Sequence, residues 1–103
     1  MSWRIGVSTG CSLHHPIVAA LAEIRRAGIA GIEISTPPGH FDPGEVREVA
    51  GLHGQIVAAG IEAVSIHAPF GGLLDLSDPN PHHRHAAIGA ILTAAAAMRT
   101  LGG

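Results

Sequence analysis

The sequence predicts an α/β chain made of three parallel βα units, the opening part of an eightfold (β/α)8 barrel. Three observations predict it. Short β-branched runs alternate with longer stretches of helical periodicity. A nine-residue segment at the junction of helix and strand occurs twice. The strands also carry polar residues on one parity, where strands buried on both faces would be apolar throughout.

The first strand is predicted over Arg4–Thr9. The first helix starts near Pro16, since proline is tolerated in a first turn, and Ile17, Val18, Leu21 and Ile24 come next at helical spacing. It ends at Ala27-Gly28, where glycine accepts the left-handed conformation that closes many helices. The second strand is Gly31–Ser35. In Asp42-Pro43-Gly44-Glu45, Asp42 is expected to cap the second helix, Pro43 to take its first position and Glu45 to reach back as a capping-box acid. Val46, Val49, Ile56 and Val57 mark its inner stripe; Gly51 and Gly54 weaken it by about 1 kcal/mol each. The third strand is Glu62–His67. The third helix begins near Asp78-Pro79-Asn80-Pro81 with Asp78 as its cap, and runs through Ile88, Ile91, Leu92 and Ala95 toward Met98.

The repeat pairs Ala27–Ser35 with Ala59–His67 at an offset of 32, with four of nine positions identical. Each copy leaves a helix through Ala-Gly and opens a strand. Thr100-Leu101-Gly102-Gly103 has the form of the same exit, so a fourth strand is expected next. Residues 1–103 thus read as one incomplete domain. Three-eighths of a barrel of about 250 residues is about 94.

Composition narrows the function. The chain is 47% hydrophobic and 14% charged, which favours a strongly buried chain over a disordered one. Trp3, Phe41 and Phe70 are its only large aromatics, so the core must rest on Ile, Val, Leu and Ala. The net charge is −2 and the six basic residues are scattered arginines, which argues against nucleic acid as a partner. Cys11 is the only cysteine, so no internal disulfide forms, in keeping with a reducing compartment. No signal peptide opens the chain, and the apolar run around Ala94–Met98 is too short for a membrane span. A soluble cytoplasmic protein is expected.

Strand-end chemistry separates the barrel from a doubly wound sheet. Ser8-Thr9-Gly10-Cys11-Ser12 lacks the Gly-x-Gly-x-x-Gly turn of a dinucleotide site. By parity Glu33 and Ser35 share a face, as do Ser65 and His67, with Gly6 and Ser8 as counterparts. A polar face of this kind predicts a lumen with a site at its C-terminal mouth.

Those residues resemble a known family. Gly31-Ile32-Glu33-Ile34 after an Ala-Gly-Ile exit looks like the second strand of xylose isomerase-like sugar phosphate isomerases and epimerases. Ile66-His67-Ala68-Pro69-Phe70 looks like the third strand end, and Asp75-Leu76-Ser77-Asp78-Pro79 with Arg84 is similar to the family's next segment. The resemblance spans residues 3–101 and implies a TIM barrel. It implies isomerisation or epimerisation of a sugar, sugar phosphate or polyol. It also implies a divalent metal (Mn, Mg, Zn or Co) in the complete barrel, with the usual carboxylate ligands on later strands.

His67 is the first site candidate: its imidazole can bind a metal or a substrate hydroxyl, or shuttle a proton near neutral pH. Glu33 is the second, as a base that takes a proton α to a carbonyl. Ser8, His14, Ser35 and Ser65 are expected to bind substrate, although for His14 and His15 a solvated loop is the simpler reading. His82, His83 and His85 read as a solvated helix start, since zinc needs four ligands. Asp75 reads as a loop acid, and Cys11 as a small buried or inert thiol.

Two other readings compete. The chain can be an inactive fragment that needs a missing C-terminal half or association with its own copies, because an unclosed barrel leaves strand edges unpaired. The related apurinic endonucleases form the second, which the charge disfavours.

Overall fold

Alternating β-branched and helical stretches build the expected order. In the computed structural model, residues 5–102 are described; Trp3, the strand start at Arg4 and the glycine at 103 lie outside them. Strand β1 is Gly6–Ser8, followed by a 3₁₀ turn over Thr9–Ser12. Then come α1 (Ile17–Arg26), β2 (Gly31–Ile34), α2 (Val46–Ala59), β3 (Glu62–Ile66) and α3 (Pro81–Leu101). The strands form one sheet in the order β1-β2-β3, and both pairings are parallel. Each strand is shorter than predicted. Thr9 turns into the 3₁₀ segment, and Ser35 and His67 lie one residue past their strands.

The core lies on one side of the sheet. Ile32 and Ile34 are fully buried there, among Leu21 and Ile24 of α1, Val49, Leu52 and Ile56 of α2, and Ala97 and Leu101 of α3. Hydrophobic burial of this continuous layer is the main favourable term in the fold. Gly28 and Gly60 close α1 and α2 with φ of 78° and 67°, as the repeated Ala-Gly exits predict. Gly102 instead keeps φ −91° at the end of α3.

The helices depart from the expected caps and faces. Pro16 is the residue before α1, with extended backbone, and its carbonyl accepts from Ala19 and Ala20. Ala20, Leu21 and Ile24 are buried while Val18 is exposed. In α2 the start slips to Val46. Asp42 cannot cap it, because its Oδ1 accepts from the Gly44 N–H at 2.8 Å and closes a local turn; the Glu45 side chain caps instead, accepting from Arg47 N–H. Val49, Leu52 and Ile56 face the core, leaving Val46 and Val57 in solvent. In α3, Pro81 takes the first helical position, which moves the cap to Asn80; its Oδ1 accepts from His82 N–H at 2.9 Å. Asp78 accepts from Asn80 N–H one step upstream. The buried stripe of α3 is Ala87, Ala94, Ala97 and Leu101, whereas Ile88, Ile91, Leu92 and Ala95 are exposed. Small side chains let a helix backbone lie close against its neighbours, here α2 and β3. Among the described residues no helix is long and apolar enough to cross a membrane.

Candidate functional site at the strand ends

Alternation along β2 puts Ile32 and Ile34 under the helices, so Glu33 falls on the open face of the sheet. Ser8, Glu33 and Ser65 stand at one level across the three strands. Ser65 Oγ donates to Glu33 Oε2 at 2.7 Å and holds the carboxylate in one orientation. A β-bulge makes this level possible. Gly31 and Ile32 pair with Glu62 and Ala63, but Glu33 and Ile34 pair with Ser65 and Ile66, so Val64 is the extra residue. The repeat offset of 32 is therefore the register of the strand ends only.

Just beyond, Ser8 Oγ and Ser35 Oγ are 2.9 Å apart, and Gly10 N–H donates to Ser8 Oγ at 3.0 Å. A Cβ on Gly10 would stand 2.7 Å from Ser35 Oγ, so glycine is what lets the 3₁₀ turn close over this pair. Thr9, fully buried, accepts from Ser35 N–H at 2.9 Å. Without it that donor would lose its partner, at a cost of about 1–3 kcal/mol.

His67 is held through its backbone. Its N–H donates to the Ile34 carbonyl at 2.8 Å and extends the ladder by one bond, while its carbonyl accepts from Thr36 Oγ1 at 2.6 Å. The imidazole is exposed, and Nδ1 lies 2.9 Å from the Ala68 carbonyl. A carbonyl only accepts, so this bond requires the proton on Nδ1 and leaves the Nε2 lone pair outward. The Phe70 ring stands 4.8 Å away, tilted by 46°.

Three hollows surround these groups. Glu33 and His67 share one of about 740 Å³ that reaches Asp75 and α3. Ser35 and His67 line another of about 950 Å³ under Phe70. Ser8, Glu33 and Ser65 line a third, of about 830 Å³, over the open sheet face. His14 joins none of them: it is exposed in the turn after the 3₁₀ segment, and its neighbour Leu13 reaches the cleft instead. The fold places His15 in solvent too.

Glu33 and His67 bring two donors to their cleft. Among the described residues no group of three or more His, Cys, Asp or Glu side chains gathers to hold a metal ion. These residues do not by themselves compose a metal site, where zinc alone asks for three or four protein ligands. Cys11 is exposed rather than buried.

At the start of α3, His83 Nδ1 meets Asp78 Oδ2 at 3.0 Å, while His82 and His85 are exposed. The Asn80 backbone N–H, then the His83 side chain, lower the Asp78 pKa below its usual 3.8. The Ser77 hydroxyl and backbone N–H do the same for Asp75. A depressed carboxyl pKa stabilises the fold above its usual value, and the effect is lost as pH falls through the folded value. The protection factors of the Ser77 and Asn80 amides, taken against intrinsic exchange at each pH, are therefore expected to fall once pH drops below the usual 3.8. Unchanged protection on acidification would contradict this.

Parity reasoning passed over Thr9 and Thr36 because both fall on the opposite parity to Ser8 and Ser35. Their signal was a hydroxyl placed directly after a polar strand end. Phe70 was visible only as the last residue of the Ile66–Phe70 strand end and as one of the few aromatics expected in the core, whereas the structure leaves it 76% exposed. Comparison of the chain with protein-family models, with curated proteins and with solved structures finds no match.

Proposed function

We propose that the three βα units belong to a (β/α)8 barrel of the xylose isomerase-like kind, and that they carry part of a site isomerising or epimerising a sugar or polyol. One observation carries this reading. A carboxylate oriented by Ser65 shares a cleft with an imidazole whose Nε2 is open, and both stand at the C-terminal ends of parallel strands. On this reading Glu33 takes the proton α to the substrate carbonyl and gives it back to the former carbonyl carbon of the enediol so formed, which yields the ketose. His67 Nε2 accepts from a substrate hydroxyl, and Ser8, Ser35 and Ser65 bond the remaining hydroxyls. A divalent metal would draw further ligands from other strands of the complete barrel.

The test is incubation of the full-length protein with aldoses in D₂O. Deuterium should appear at the carbon next to the carbonyl, together with ketose or epimer. Aldoses recovered unlabelled and unchanged across pentoses and hexoses, with and without divalent metals, would sink the proposal.

Specific features also favour a requirement for association, with further strands or with copies of the chain. In the described sheet β1 and β3 each pair on one side only, and Ile5 and Val64 lie 71% and 61% exposed on it. Light scattering of the 10.5 kDa chain is expected to give a mass of at least a dimer. A monodisperse monomer at high concentration would rule this out.

A further inference from the structure

The cleft beside His67 differs in chemistry from the Ser-Glu row. Leu13, Pro37, Phe41, Pro69, Phe70 and Leu74 supply most of its wall. Its polar groups are few and mostly engaged. Thr36 Oγ1 donates to the His67 carbonyl, Asp42 Oδ1 accepts from Gly44 N–H, and Ser35 Oγ is paired with Ser8 Oγ. His67 lines both this cleft and the one holding Glu33. A volume of about 950 Å³, apolar walls and a few polar groups at one edge are the features of a small-molecule site.

Charge limits what can bind. Glu33, Asp42 and Asp75 line the two clefts, and no arginine of the described residues does. A phosphate group would meet carboxylates there and find no guanidinium fork. Phe70 meanwhile holds an exposed phenyl ring at the cleft, tilted by 46° to the His67 imidazole with the ring centres 4.8 Å apart.

We infer that this cleft takes a ring-sized apolar group of an uncharged ligand, whose polyhydroxy end reaches His67 and Glu33. The assignment of the polyhydroxy end rests on the proposed function; that of the apolar end stands on the cleft alone. Phe70 covers one side of the ring and Leu13 the other.

The experiment is an NMR titration of the full chain with phenyl β-D-xylopyranoside, methyl β-D-xylopyranoside and phenol, following the amides of His67, Phe70, Gly71 and Gly72. The phenyl glycoside should bind at least about tenfold tighter than the methyl glycoside. Phe70→Ala should bring the two within about twofold of each other. Phe70 is exposed, so this variant keeps its fold; Leu13→Asp, also at an exposed position, provides a second test of the same gain. Equal binding of the two glycosides would overturn the inference and leave the proposed function standing. Shifts with phenol but with neither glycoside would support the apolar cleft and count against the sugar reading. A phenyl gain unchanged in both variants, or no shift with any of the three probes, would overturn the inference.

Discussion

Glu33→Gln in the full-length protein is expected to lower turnover by about 10²–10⁴-fold, the usual contribution of a positioned general base. The amide keeps the shape of the carboxylate and can still accept from Ser65 Oγ through its oxygen. It cannot take a proton from carbon. The effect should therefore fall on kcat, with KM changed little, since the lost interaction belongs to the transition state. Ser65→Ala is the companion variant. It leaves the carboxylate in place without its 2.7 Å donor, so its loss should be smaller than that of Glu33→Gln. Wild-type turnover in Glu33→Gln would remove Glu33 from the chemistry, whatever the barrel does.

Ile34→Ala should show the largest effect on stability. The side chain is fully buried in the centre of the only extended core layer among the described residues. Truncating a buried isoleucine costs about 2–5 kcal/mol, from lost transfer energy and from the cavity left behind. Domains are stable by only about 5–15 kcal/mol. A chain with one covered sheet face sits toward the low end, so the variant is expected to lose cooperative thermal unfolding at room temperature. Val46→Ala, on the exposed side of α2, should stay within about 0.5 kcal/mol of wild type. Equal melting curves for Ile34→Ala and Val46→Ala would show that the helix-covered layer is not the core.

Much of this architecture is legible in the residues themselves. Glu33 between two isoleucines is a period-2 signal, and the structure buries both isoleucines and leaves Glu33 on the open face. Two Ala-Gly exits ask for left-handed glycines, and Gly28 and Gly60 supply them. The site is less legible. Ser8, Ser35 and Ser65 were visible through parity, and their hydrogen bonds join the three strands into one polar face. A backbone bond to β2 ties down His67, whereas His14 lies exposed in the turn after the 3₁₀ segment, as the solvated-loop reading expected.

From sequence alone came the α/β alternation, the parallel order, the helix-exit glycines and the parity that groups Glu33 with the strand serines. These arise from backbone periodicity and from what each residue type allows within a few positions of itself. Only the tertiary structure decided which helix face is buried, alanines over isoleucines in α3, and where the bulge at Val64 brings Ser65 level with Glu33. It alone left Phe70 uncovered beside His67. Those outcomes depend on which neighbour packs against each surface and how closely, and local periodicity carries no record of that neighbour.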